Sequence, residues 1–267
     1  MSMRQNVQSL ILAAAVSLPI AGLAQAQTTD QEYAETYETV KEAMLPAMVR
    51  VKVVMSMESP WGGEPEEEEM EVGGLLISAD GQVLLTNSMM GGLYGMMGGF
   101  QMTPRDIKVL IGDDTEGLSA TLVARDSDRD LCWIKLDEEP EEALPYLDLE
   151  SEAVRPAVGQ MVYQVKRLGE FFDRAPVINE ARVTAEIQKP RELLYVSAGS
   201  VEVGSAVVDA EGKFAGMVVT QLPGSDELEA AGGFGSNFSD SYIWAILPPA
   251  EVAKATRDAM SLLEEEE

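Results

Sequence analysis

The sequence predicts an all-β chain in two halves with a helix at each end, and three observations carry that expectation. Short apolar runs recur throughout, separated by Gly, Pro and Asp turn signals. The clearest pair lies in residues 73–90 (GGLLISADGQVLLTNSMM), where residues 75–77 lead into Asp80-Gly81 and residues 83–85 lead out, the pattern of a β-hairpin. Midway, residues 138–145 form an acidic, Pro-bearing connector that separates two barrel-sized sets of strands, roughly residues 45–145 and 155–247. The expected division is a leader over 1–26, a helix and first barrel over 27–150, and a second barrel and helix over 151–267.

The chain starts with the three parts of a secretory signal: Arg4, an apolar run over residues 10–23, and the small-residue box Ala24-Gln25-Ala26. Cleavage near Ala26 would deliver the protein to the periplasm or the exterior. No later run is apolar for the roughly 18 residues that a membrane span requires. Thr29 and Glu32 have capping-box spacing, and Tyr33, Tyr37, Val40 and Met44 recur at helical intervals up to Pro46. Residues 48–55 (MVRVKVVM) alternate with Arg50 and Lys52 on one face, as a half-buried strand does. Residues 58–71, with two prolines and four consecutive glutamates, read as an exposed loop.

Residues 89–102 (MMGGLYGMMGGFQM) fit neither helix nor strand period and read as a mobile loop over the mouth of a groove. Its methionines suit an irregular apolar partner. Thioether ligation of Cu(I) is a weaker alternative, because no His or Cys stands nearby. Strands follow over 106–112, 118–125, 158–162, 181–187, 193–197 and 242–247. Residues 200–217 add a hairpin turning at Glu211-Gly212, and Pro248-Pro249 opens a helix with Val252, Ala255, Ala259 and Leu262 on one face.

A net charge of −27 excludes nucleic acid as a partner, since phosphates would be repelled. It also keeps an exported protein soluble. Cys132, the single cysteine, sits among Leu131, Trp133 and Ile134 and reads as a small core residue. No cofactor and no metal is expected.

Three separated stretches resemble the HtrA/Deg-type trypsin-like serine proteases. The hairpin ending in Thr86-Asn87 matches the segment that delivers that family's catalytic histidine, and Met89 holds the histidine position; counting from Asp80-Gly81 instead gives Ser88. Residues 126–137 (DSDRDLCWIKLD) match the segment of the triad aspartate, at Asp130. Residues 200–217 match the nucleophile loop and its hairpin, with Val203 at the nucleophile, Val201 at the oxyanion-hole glycine and Gly204 as a surviving loop glycine. The resemblance spans roughly residues 40–250 and implies two antiparallel Greek-key barrels with Met89, Asp130 and Val203 converging between them. It implies none of the family's PDZ modules, since only a helix follows the last strand.

The chain has no histidine. Serine-protease chemistry needs a hydroxyl nucleophile, an imidazole base, an orienting carboxylate and N–H donors for the oxyanion. Of these, Asp130 alone survives, and a carboxylate that merely accepts backbone hydrogen bonds explains it. Val201 is β-branched where a glycine is needed, so the oxyanion loop is expected to be reshaped. Ser88, Ser200 and Ser205 are the candidate nucleophiles for an altered hydrolase, with Lys213 as the nearest lysine in sequence. The expectation is a pseudoprotease that holds an extended peptide or a protein partner by strand addition.

Overall fold

Apolar runs buried on both faces, rather than simple alternation, build the core of this protein. The structure is a computed structural model describing residues 20–58, 61–92, 101–151, 153–197, 199, 201–223 and 242–266. Helix α1 (Ile20–Met44) leads into β1 (Met48–Glu58), β2 (Glu66–Leu76), β3 (Gln82–Leu85), β4 (Gln101–Ile111), β5 (Leu118–Asp126) and β6 (Leu131–Leu136). These six strands close a barrel in the order β1-β2-β3-β6-β5-β4. A second closed barrel follows, from β7 (Met161–Arg167), β8 (Pro176–Ile187), β9 (Leu193–Val196), β10 (Ala206–Val208), β11 (Phe214–Gln221) and β12 (Ile243–Leu247), in the order β10-β11-β12-β9-β8-β7. All neighbours pair antiparallel, and helix α2 (Pro249–Glu266) closes the described chain. This is the trypsin-like double barrel.

Period-2 side-chain alternation assigns each strand face to a different core. Val83, Leu85, Cys132 and Ile134 fill the first barrel, whereas Leu84, Leu131 and Trp133 point the other way, into a cluster shared with Val165, Phe214 and Met217 of the second barrel. That shared cluster also takes Val40 and Met44 of α1 and Val252, Ala255 and Ala259 of α2. Each helix therefore buries its apolar stripe where the barrels meet. Tyr37 adds an edge-to-face contact with Tyr163, ring centroids 6.2 Å apart. Trp133 donates its indole N–H to Thr256 Oγ1 at 3.1 Å, tying β6 to α2. Cys132 is fully buried, and burial pushes its thiol up to about 12, so it is inert as a nucleophile.

The hairpin forms as its turn chemistry requires. Leu75 pairs with Leu84 and Leu76 with Val83, while Ile77 N–H donates to Gln82 O at 2.9 Å. Gly81 has φ +87, and a Cβ there would lie 2.4 Å from Leu136 Cδ1, so both backbone and packing demand glycine.

Four local expectations are corrected. Residues 66–71, read as loop, belong to β2 and pair with β1 from Lys52↔Glu71 to Met57↔Glu66. A ladder needs only backbone groups, and the side chains of Glu66, Glu67, Glu68 and Glu69 stay in water, so their charge does not oppose the strand. Arg50, expected on a solvated face, is buried: its guanidinium pairs with Glu71 Oε1 at 2.9 Å and donates to Asp114 O at 3.2 Å. The methionine-rich stretch is also less exposed than its composition suggests, because Met90 is fully buried in the first barrel and Gln101 and Met102 already belong to β4. Arg125 Nη1 donates to both Met90 O and Asn87 Oδ1 at 2.9 Å, which pins the start of that stretch. Residues 93–100 lie outside the described residues. Helix α1 begins at Ile20, ahead of the expected start at Thr29.

Candidate functional site

The end of β3, the turn before β6 and the loop before β10 meet where the barrels face each other. Thr86 to Met89 follow β3 directly, so the hairpin delivers them to the barrel rim. Asn87 N–H donates to Asp130 O at 3.1 Å, fixing the two segments side by side. Asp130 has φ +57, a left-handed conformation that Asp tolerates better than most residues, and this turns its carboxylate inward.

That carboxylate is 5% exposed and fully engaged. Oδ1 accepts Ser88 N–H at 2.6 Å, and Oδ2 accepts the Ser88 hydroxyl at 2.9 Å and Thr220 N–H of β11 at 2.8 Å. Burial raises its pKa above the usual carboxylate range, and the three donors oppose that rise. The Thr220 bond crosses from one barrel to the other. Ser88 thus supplies, from the position before Met89, a donor to the carboxylate where a triad would use an imidazole N–H.

Met89 is 36% exposed and lies against the loop of the second barrel. A Cβ built on Gly204 would stand 3.3 Å from Met89 Cγ and 3.2 Å from Thr86 Oγ1. Gly204 has φ +88 and donates its N–H to Val218 O at 2.9 Å, so the peptide linking Val203 to Gly204 is held beside Met89. The structure therefore brings Met89 and Asp130 to neighbouring positions on one rim and sets the Val203–Gly204 segment against them. Thr86 Oγ1 is buried and without a hydrogen-bond partner among the described residues.

The loop before Gly204 is anchored in the core of the second barrel. Val201 is 3% exposed and packs with Val162, Val183, Val207 and Val218 inside the second barrel. Next to it, fully buried Gln164 clamps the Glu202 peptide: its Nε2 donates to Glu202 O at 2.7 Å and its Oε1 accepts Glu202 N–H at 3.0 Å. Lys166 pairs with the Glu202 carboxylate. The sequence expectations missed Gln164, although a glutamine among Val162, Tyr163 and Val165 is the kind of polar interruption that a buried hydrogen bond leaves.

Of the serines weighed as nucleophiles, Ser88 hydrogen-bonds Asp130. Ser205 is half-buried, with its carbonyl accepting Val218 N–H at 2.9 Å, and Ser200 lies outside the described residues. Lys213 N–H is held by Asp209 Oδ1 at 2.9 Å in the β10–β11 turn. Beside Val201, a cleft of about 250 Å³ is walled by Tyr195, Val196, Tyr242, Ile243 and Trp244, an apolar lining without a charged side chain. Among the described residues no group of three or more Cys, Asp or Glu side chains is arranged to hold a metal ion, and Met90 is sealed in the barrel away from any ligand.

The family model of the trypsin-like peptidase domain matches residues 72–217, more than half of the chain and all three of the segments just described. The chain belongs to that family. No curated protein matches it.

Proposed function

We propose that this protein is an exported pseudoprotease of HtrA/Deg-like descent, which holds an extended peptide or protein segment in its groove and does not cut it. The observation that carries this reading is the Asp130 carboxylate: all its described hydrogen bonds come from Ser88 and Thr220, and the chain has no histidine to stand beside it. A thioether accepts no proton near neutral pH, and Val203 has none to give. Val201, at the position where the resemblance puts the oxyanion glycine, packs its side chain in the second barrel, which weighs further against a catalytic loop.

Binding remains chemically reasonable, because the apolar cleft beside Val201 can take an apolar side chain while neighbouring backbone pairs with an extended chain. The secretory pattern of residues 1–26 supports an exported location. A fluorescent, unfolded casein fragment tests the reading: the protein is expected to raise its anisotropy saturably and leave its mass spectrum unchanged. Cleavage of the fragment, or no binding at any concentration, would reject it.

One observation favours a second reading. The Ser88 hydroxyl lies 2.9 Å from a buried carboxylate whose pKa is raised, the beginning of a nucleophile and acceptor pair. A carboxylate remains a weak base for an alcohol, so a hydrolase built on this pair would be slow. Loss of casein cleavage in Ser88→Ala would assign the chemistry to it.

A further inference from the structure

The methionines of this chain are gathered rather than spread, and the strand register brings several of them together. Ten of the 15 lie within residues 44–102. Period-2 alternation puts Met55 and Met57 on the face of β1 that carries the buried Val51 and Val53. Met57 stands directly opposite Met102 of β4, and Met70 of β2 stands opposite Val53. Four thioether side chains therefore share the inner face of three adjacent strands at one end of the first barrel. Direct partners in such a ladder have Cβ atoms about 5 Å apart and diagonal ones about 7 Å, spans that a long, unbranched methionine closes.

The segment after β3 closes on the same place. Gly91, with φ +84, approaches so closely that a Cβ built on it would stand 2.7 Å from both Met55 Cε and Met102 Cβ, so these two side chains converge on one point. Met55 is fully buried, whereas Met57, Met70 and Met102 are half-buried, and the group runs from the core to the barrel mouth. A core asks only for apolar volume, which Leu or Ile supplies with better-defined rotamers; what methionine adds is a soft sulfur donor. Glu68 and Glu66 stand opposite Met55 and Met57 in the β1–β2 ladder, which puts exposed carboxylates on that face beside the thioethers. Thioethers carry no charge, so the carboxylates supply the negative potential that draws in a cation. Ca(II) and Mg(II) want oxygen cages and Zn(II) wants thiolate, imidazole or carboxylate, whereas a group of thioethers suits Cu(I).

We propose that Met55, Met57 and Met102, with Met70 within reach as a fourth donor, bind a single Cu(I) ion at the mouth of the first barrel. Met57 and Met102 capture the ion at the rim, and Met55 holds it against the apolar interior, where water is excluded. The site does not depend on peptide binding in the groove.

Anaerobic titration of the purified protein against the Cu(I)–bicinchoninate complex gives the test. The protein is expected to withdraw one Cu(I) per chain from the coloured complex. Met57→Leu with Met102→Leu keeps the apolar volume and should leave circular dichroism unchanged. The pair should weaken capture by more than about tenfold, the least that the loss of a metal's partners costs. Met161→Leu with Met260→Leu, outside the cluster, should leave capture as it is. A second readout needs no variant: in NMR of the wild type with carbon-13 methionine methyls, Ag(I), an equally soft ion that does not change oxidation state, should shift the methyls of Met55, Met57 and Met102 and leave those of Met161, Met217 and Met260 in place. No Cu(I) taken from the chelator overturns the proposal, as does capture that survives replacement of the rim pair or an Ag(I) shift confined to other methionines. Zn(II) taken up as tightly as Cu(I) also overturns it, by assigning the site to the carboxylates.

Discussion

The Asp130 pocket and the loop before β10 face each other, yet they are held in different ways. The Asp130 carboxylate accepts the Ser88 and Thr220 backbone N–H groups and so joins the two barrels. The loop makes its contacts within one barrel: Val201 packs in the second barrel and Gln164 clamps the Glu202 peptide. A polar group bridges the barrels in the first region, whereas apolar packing and one buried amide fix the second.

Substitutions can break or sharpen this contrast. The largest effect is expected for Asp130→Ala, which orphans two backbone N–H groups and a hydroxyl and puts alanine at φ +57. It should cost about 3–5 kcal/mol in urea unfolding. A loss below about 1 kcal/mol would deny Asp130 its structural role. Gln164→Leu should come next, at about 2–3 kcal/mol, because the Glu202 peptide loses two hydrogen bonds to a fully buried amide. Val201→Gly removes a buried side chain and should cost roughly 2 kcal/mol; a stabilised variant would mean that the loop is strained by its valine. Ser88→Ala, which removes one donor and leaves its backbone bond, should cost about 1 kcal/mol.

The smallest effect is in pH. Burial raises the Asp130 pKa, so the folded state binds a proton at pH values where the unfolded chain has released it. Stability attributable to this group therefore rises as pH falls through its raised pKa, and levels off below the ordinary carboxylate value. Asp80, Asp114 and Asp148 oppose it, since hydrogen bonds hold their pKa values low and their contribution fades as pH drops. Comparing Asp130→Asn with the wild type between about pH 7 and about pH 4 isolates the term: the stability gap should widen in favour of the wild type toward acid. A constant gap would contradict the raised value.

The sequence disclosed whatever rested on local chemistry. The Asp80-Gly81 turn, the apolar runs beside it and the aspartate before LCWIKL specify their own structure, and each lies where its pattern put it. The glutamate run misled because charge was weighed as though a strand required burial, while an exposed ribbon asks only for backbone pairing. Met90 misled for the opposite reason, since its glycine neighbours obscured a core position fixed by Arg125, distant in sequence and adjacent in space. Gln164 and Thr220 serve the site across 38 and 90 residues of chain, and no local period announces such a bond.

The central claim, that the groove binds without cutting, is tested most directly by intact-mass measurement after prolonged exposure to excess fluorophosphonate probe. The account predicts an unchanged mass, together with casein left whole in the same preparation, because no serine stands beside an imidazole. A stoichiometric adduct on Ser88, Ser200 or Ser205, lost when that one serine becomes alanine, would contradict it.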